Sequence, residues 1–142
     1  MKTSARNQFP GTVGKIKTGA VNDEIELEIG GGQTIVAIIT HDSAVRLGLQ
    51  TGAPAFALIK ASSIVIVTDD QGAKFSTRNR LGGIVSSLHA GAVNSEVVID
   101  LAGGGQVAAI VTNVGSAKLG LAVVQVAAAI FEASSVILGV AA

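Results

Sequence analysis

The chain has no cysteine, no tryptophan and no tyrosine, and only four phenylalanines among its 142 residues. The lack of cysteine excludes disulfide bonds and thiolate metal sites. Charged residues make up only 14% of the chain, and ten basic side chains balance ten acidic ones. This balance argues against nucleic acid or an anionic membrane as a partner attracted by overall charge. Any anion that the protein binds must be held by a local arrangement of donors.

Small aliphatic residues dominate what is present. Hydrophobic residues account for 49% of the chain, and there are 18 glycines. A single globule of this size has too few polar residues to cover itself, so we expect apolar surface to be buried between repeats or subunits. The N-terminus has no apolar segment of signal-peptide length, and Gln125 and Glu132 interrupt the apolar C-terminal region. We therefore expect a cytoplasmic protein that does not enter a membrane.

One unit of sequence occurs twice. Shifted by 72 residues, positions 4–68 (repeat 1) align with 76–140 (repeat 2) without a gap, so that SARN lies over STRN, GAVNDE over GAVNSE and KASS over EASS. This agreement indicates a duplicated domain, which we place at residues 1–68 and 76–142, with a linker at 69–75. The linker can span at most roughly 25 Å. The two domains must therefore lie close together.

Each repeat has the pattern of a β-rich domain. Residues 24–29 alternate isoleucine or leucine with glutamate, and residues 34–39 are apolar on both faces, which predicts two strands joined by a glycine turn. Residues 41–52 predict a short helix begun by Asp42 or Ser43, and 55–67 a final strand. We therefore predict an all-β fold of two tandem OB-like small barrels, each with one short helix.

No pattern in the sequence indicates an enzyme. The two histidines have no partners at a catalytic or metal-binding spacing, and HExxH, GxSxG and cysteine clusters are absent. The glycine triplets at 30–32 and 103–105 lie between two strands, which favours hairpin turns over phosphate-binding loops. Glu24, Glu26 and Glu28 share a strand face, but alternating acids on an exposed face are common. We therefore predict no site for a bare metal ion.

A hydroxyl-rich, basic set of residues remains as the candidate site. Ser4, Arg6 and Asn7 begin repeat 1, and Lys60 and Ser62 lie near its end. Cations, hydroxyls and an amide suit a tetrahedral dianion, because the guanidinium offers a planar fork and the ammonium a point charge. A structural interpretation is equally open, in which Ser4 and Asn7 shape the chain entry and Lys60 extends from an apolar strand.

The motifs of repeat 1 follow one another in the order SARN, G-x-V, GAVN-x-E, a glycine turn, LGL and KAS, and with their counterparts in repeat 2 they cover nearly the whole chain. This full pattern resembles the Mop-domain family of molybdate-binding proteins. The tandem arrangement is similar to that of cytoplasmic proteins for molybdenum storage and homeostasis, so we expect no ATPase module or DNA-binding segment ahead of the repeats. The resemblance implies a homotrimer that binds molybdate, or tungstate as its analogue, at interfaces between domains or subunits.

The resemblance also implies the residues of each site. Each pocket is expected to join an N-terminal half-site from one domain to a KAS half-site from its neighbour. The implied oxyanion ligands are Ser4, Ala5, Arg6, Asn7, Lys60, Ala61 and Ser62 in repeat 1, and Ser76, Thr77, Arg78, Asn79, Ala133 and Ser134 in repeat 2. An additional axial oxyanion site is expected at Asn22 and Asn94.

Repeat 2 departs from the family pattern at Glu132, which occupies the position of Lys60. An anion here should weaken oxyanion binding, unless Glu132 turns away or pairs with a cation such as Arg80. Two other functions compete with molybdate binding. An OB-type module for nucleic acid requires a basic, aromatic strand face that this composition does not supply, and a structural oligomer would use the Arg-Asn pairs only for folding.

Overall fold

The computed structural model describes all residues from 1 to 142. The chain forms ten strands and two short α-helices. The elements are β1 (Asn7–Lys17), β2 (Asn22–Gly30), β3 (Gln33–Thr40), α1 (His41–Arg46), β4 (Pro54–Ile59), β5 (Val65–Val67), β6 (Arg80–Ala90), β7 (Asn94–Leu101), β8 (Gln106–Thr112), α2 (Asn113–Leu119), β9 (Val126–Ile130) and β10 (Ile137–Gly139). Short 3-10 turns at Ala61–Ser63 and Ala133–Ser135 precede β5 and β10. No helix is long and apolar enough to cross a membrane.

The strands make two five-stranded antiparallel sheets, in the orders β10-β4-β1-β2-β3 and β5-β9-β6-β7-β8. The prediction of an all-β chain with two small units and one short helix in each is therefore confirmed. The alternation in β2 is also confirmed, because Ile25 and Leu27 are fully buried while Glu28 is exposed. These side chains belong to a single core cluster that both sheets share.

The predicted strand at 55–67 was wrong in its continuity. β4 ends at Ile59, the 3-10 turn reverses the chain, and β5 then pairs with β9 of the other sheet. β10 makes the reciprocal crossing and pairs with β4. Each repeat thus donates its last strand to its neighbour's sheet. The predicted domain boundaries therefore describe the two sequence repeats and stay a prediction for the folded domains, because each sheet contains a strand from the other repeat.

The predicted helix at 41–52 was too long. It ends at Arg46, because Leu47 caps it and Gly48 adopts a left-handed φ of 65°. Its N-cap is Thr40 rather than Asp42 or Ser43, and the Thr40 hydroxyl accepts a hydrogen bond from the Ser43 amide at 3.1 Å. The helix therefore occupies only the connection between β3 and the loop that leads to β4.

The glycine of each G-x-V motif allows β1 and β6 to pass close to the neighbouring strand. A Cβ at Gly11 would lie 2.3 Å from the carbonyl oxygen of Glu28, and a Cβ at Gly83 would lie 1.9 Å from that of Asp100. No side chain fits at either position. These contacts fix the path of the strands that follow the SARN and STRN segments, and so they fix where those segments lie.

Candidate oxyanion site

Most of the predicted half-sites of repeat 1 line one cleft of about 350 Å³. We call it the Lys60 cleft. The antiparallel pairing of β1 with β4 sets Asn7 opposite Ile59, and this register brings the residues before Asn7 beside those after Ile59. The predicted residues that line the cleft are Ser4, Ala5, Arg6, Lys60, Ala61 and Ser62. Ile110 and Ile137 of repeat 2 complete its wall, so the cleft lies between the repeats.

The cleft offers hydrogen-bond donors and cations. Arg6 and Lys60 are exposed, as are Ser4 and Ser62. Thr3, which the sequence analysis did not include, also lines the cleft, and its hydroxyl accepts a hydrogen bond from the Ala5 amide at 3.1 Å. No carboxylate lines the cleft. This donor set suits a fully ionised oxyanion, which accepts hydrogen bonds and donates none.

The side chains of Asn7 and Asn79 lie outside the clefts and bond to the backbone of the opposite repeat. Asn7 is 2% exposed, and its amide both donates to and accepts from the backbone of Ala108, at 2.8 Å in each case. Asn79 is fully buried and makes the same pair of bonds to Val36. Both side chains are therefore committed to the opposite repeat. The sequence analysis predicted that both residues bind an oxyanion, but neither side-chain amide is free to do so in this structure.

The arginines of the two repeats form reciprocal ion pairs. The Arg6 guanidinium donates to both carboxylate oxygens of Glu96, with Nη2 to Oε1 at 2.8 Å. Arg78 pairs with Glu24 and also approaches Glu26 at 3.5 Å. The hydrogen bond from Arg6 holds the pKa of the Glu96 carboxyl below its ordinary value of 4.5, and it raises the pKa of Arg6 in turn. These ion pairs connect the two repeats, and the hydrogen bonds of Asn7 and Asn79 connect them as well.

Sequence reasoning missed both glutamates, because it treated Glu24 as an ordinary exposed acid and did not single out Glu96. One signal was available: the GAVN-x-E segment keeps its glutamate in both copies, whereas the acid two residues later changes from Glu26 to Val98. The contact itself spans 90 residues between Arg6 and Glu96. Local periodicity carries no information about a pairing at that distance.

The residues of repeat 2 are divided among separate places. Ser76 and Thr77 line a cleft of about 320 Å³ with Glu132, which we call the Glu132 cleft. The Thr77 hydroxyl is already used, since it donates to the carbonyl of Phe131 at 2.7 Å. Ala133 and Ser134 do not line this cleft, and Ser134 instead lies beside Asn22 in a groove next to α1. No lysine or arginine lines the Glu132 cleft.

Arg78 lines a third, polar cleft of about 530 Å³. Lys15 and Lys17 line this cleft together with the two glutamates that bind Arg78. The structure has no group of three or more histidine or acidic side chains that could hold a metal ion. The suggested pairing of Glu132 with Arg80 was wrong, because Arg80 binds Asp70 at 2.8 Å. Glu132 has only a 3.4 Å contact with the hydroxyl of Ser134.

Asn22 and Asn94 are exposed at the starts of β2 and β7. In repeat 1 the adjoining turn is held by Asp23, which contacts Nδ1 of His41 at 3.0 Å. In repeat 2 the Ser95 hydroxyl and the Asn113 side chain make the equivalent contact at 2.5 Å. The half-exposed His41 is thus part of a turn closure. An axial oxyanion site at the two asparagines stays a prediction.

Comparison with known families decides the classification. A model of the TOBE domain matches residues 3–66 and again residues 76–138. The chain belongs to the TOBE domain family. Its two TOBE units coincide with the duplicated repeats, and they are the tandem Mop domains that the motifs indicate.

Named relatives of this TOBE chain concern molybdenum. It is 47% identical over 140 residues to the molybdenum transport protein ModE of Herbaspirillum seropedicae and 41% identical over 138 residues to the molybdenum-pterin-binding protein MopA of Rhodobacter capsulatus. These alignments cover 99% and 97% of this chain but 52% of each relative. The chain thus spans about half the length of the curated relatives it matches.

A solved structure matches the whole TOBE chain. The crystal structure of the cytoplasmic molybdate-binding protein ModG with molybdate bound superposes with a TM-score of 0.96 at 44% sequence identity. The match covers 99% of this chain and 100% of that one. The two curled sheets of this chain therefore have the same two-domain architecture as a known structure.

Proposed function

We propose that this protein binds molybdate non-covalently in the Lys60 cleft. The observation that carries the proposal is the convergence of Ser4 and Arg6 with Lys60 and Ser62 on one cleft without a carboxylate. The proposal is supported by the 44% identity and close superposition with molybdate-bound ModG. The function is storage and homeostasis of molybdenum in the cytoplasm, with no catalytic step.

The chemistry of the anion fits these donors. Molybdate is a tetrahedral dianion at neutral pH and offers no proton, so N–H and O–H donors satisfy it completely. Phosphate is partly protonated at the same pH and would set one donor against another. Sulfate has the same charge but is smaller, and tungstate nearly matches molybdate in size. The cleft should therefore bind molybdate and tungstate alike, and phosphate and sulfate more weakly.

The two clefts of one chain should differ in affinity. The Lys60 cleft contains two cationic side chains, whereas the Glu132 cleft contains a carboxylate and no cation. An anion approaching Glu132 meets repulsion instead of attraction. The duplicated chain therefore carries one strong site of this type and one weak site, although its fold repeats almost symmetrically.

Oligomer assembly is part of the proposal. Large apolar side chains are exposed on the chain, including Val126 at 69%, Ile137 at 60% and Val65 at 57%. Ile137 lines the Lys60 cleft and Val65 lines the Glu132 cleft, so apolar surface adjoins both. We expect a homotrimer that covers this surface, and an anion bound only by the assembled form would stabilise it. Sedimentation velocity should report the mass of three chains.

Equilibrium dialysis of the full chain against molybdate, tungstate, sulfate and phosphate tests the ligand. We expect saturable binding of molybdate and tungstate at micromolar concentration, with the other two anions failing to compete at equal concentration. A protein that binds no molybdate at that concentration would refute the function. A nucleic-acid-binding or purely structural module would give that result.

Glu132→Lys tests the difference between the two clefts. The substitution restores the residue that repeat 1 has at Lys60, so we expect an additional class of molybdate sites or a marked tightening of a weak class. Glu28→Lys, an identical change of charge at an exposed position on β2, is the control. If the two variants give the same isotherm, Glu132 does not face a bound anion.

A further inference from the structure

Arg6 belongs to the Lys60 cleft and to an ion pair at the same time. Arg6 lines the cleft, and both of its terminal nitrogens donate to the carboxylate of Glu96. A guanidinium has five N–H donors, and an end-on pair uses two of them. Three donors remain for an anion, but the positive charge is already matched by a carboxylate.

Glu96 lies one strand away from the cleft. It is on β7, where it pairs across the sheet with Ile110 of β8, and Ile110 forms part of the cleft wall. Its side chain is 24% exposed, so the carboxylate is partly withdrawn from water where Arg6 meets it. Any anion that reaches the Arg6 guanidinium is therefore brought close to a second negative charge.

The reciprocal pair in repeat 2 lacks this arrangement. Arg78 and Glu24 lie with Lys15 and Lys17 in the third cleft, where the lysines offset the negative charge. Arg78 does not line the Glu132 cleft. The pair between arginine and glutamate joins the repeats at both places, but it is coupled to a candidate anion cleft only through Arg6.

We propose that Glu96 sets the affinity of the Lys60 cleft for a tetrahedral dianion by competing with that anion for Arg6. This inference rests on the proposed function. With Glu96 in place, Lys60 is the cation of the cleft whose charge has no partner among the ion pairs of the chain. Glu96 therefore lowers the affinity from the value that two free cations would give, and it makes release of the anion easier.

Glu96→Gln tests the competition in the full chain. Asp100→Asn is the matched control, because Asp100 lies on the same strand, bears the same charge and bonds to Gln106 instead of an arginine. We expect Glu96→Gln to lower the molybdate Kd by roughly tenfold at low salt, and the difference to shrink as added salt screens the carboxylate. The control should stay within about twofold of the wild-type protein, since its carboxylate is roughly 13 Å further along the strand.

An unchanged or higher Kd for Glu96→Gln, in a protein whose circular dichroism matches the wild type, overturns the inference. A higher Kd would show that Glu96 only positions Arg6. If the wild-type chain itself binds no molybdate, the proposed function fails first, so the two failures are distinguishable. Glu96→Ala provides a second removal of the carboxylate with the same expectation.

A measurement on the wild-type chain tests the competition without relying on variants that could fold differently. Carbon NMR of the side-chain carboxyl groups should show the Glu96 signal moving when molybdate saturates the protein, because the anion draws Arg6 away from it. The Asp100 signal should stay in place. A Glu96 signal that does not respond to saturating molybdate would contradict competition for Arg6.

Discussion

At the scale of single residues, the most constrained polar groups are Asn7 and Asn79. Each is buried and bonds to both the N–H and the carbonyl of one residue in the opposite repeat. Each thereby acts like a short piece of strand added to β8 or β3. The SARN and STRN segments therefore serve folding through their asparagine, and they can serve a ligand through the serine and arginine of the first copy.

Asn79→Ala should lower the free energy of unfolding by about 2–4 kcal/mol, because it leaves the buried N–H and carbonyl of Val36 without partners. Asn94→Ala, at an exposed position, should change it by less than about 0.5 kcal/mol. Urea denaturation measures both. A loss for Asn79→Ala no larger than that of the control would show that the backbone of β3 does not need the amide.

The ion pair of Arg6 with Glu96 predicts a dependence of stability on pH. The folded-state pKa of Glu96 lies below its ordinary value of 4.5, so the folded protein favours the ionised carboxylate. That stabilisation is present above about pH 4.5 and is lost as the pH falls through the lower, folded-state value. The hydrogen bond from Arg80 lowers the pKa of the Asp70 carboxyl in the same way.

Urea denaturation of the wild-type protein and Glu96→Gln between pH 7 and pH 3 checks this dependence. The variant should be less stable at pH 7, and the two curves should converge at the acid end. The difference should be modest, because the Arg6 side chain is 51% exposed and solvent screens the pair. Parallel curves over the whole range would mean that the pair does not form in solution.

At the scale of elements, the exchange of β5 and β10 and the contact of the two glycine turns hold the sheets together. A Cβ at Gly31 would lie 2.2 Å from the carbonyl oxygen of Gly103, and Gly31 has a φ of 59°. Gly32 has a similar φ of 75° but has open space around it. The two positions share a backbone conformation and differ in packing.

Gly31→Ala should therefore destabilise the protein more than Gly32→Ala. Both changes cost about 1–2 kcal/mol for a left-handed residue with a Cβ, and Gly31→Ala adds about 1–3 kcal/mol because the backbones must separate. Thermal unfolding of the two variants measures the difference. Equal melting temperatures would indicate that the turns do not touch in solution.

The elements also show what the sequence could and could not predict. Alternation in β2 predicted its buried face, and the offset of 72 residues predicted two similar units. The break after Ile59 was not predicted, because apolar residues continue through β5 while the chain crosses into another sheet. The same limit applies to the candidate site. Residue chemistry and the family resemblance predicted Ser4, Arg6 and Lys60 as ligands, but the partners Glu96 and Ala108 are distant in sequence and depend on how the repeats meet.

At the scale of the whole molecule, the two repeats are nearly symmetric in structure and unequal in charge. The asparagine bonds, the arginine pairs and the exchanged strands are all reciprocal. The clefts are not, because Lys60 in one is replaced by Glu132 in the other. Duplication thus provides a shared frame, and we propose that the substitution at this position gives the stronger anion site to one half of the chain.

Crystals of the full chain grown with tungstate would test the central claim most directly, because the anomalous signal of tungsten locates each bound anion. The account predicts a strong peak in the Lys60 cleft, within hydrogen-bond distance of donors from Ser4 to Arg6 and from Lys60 to Ser62, and a weaker peak or none in the Glu132 cleft. An empty Lys60 cleft beside a strong peak in the Glu132 cleft would contradict it.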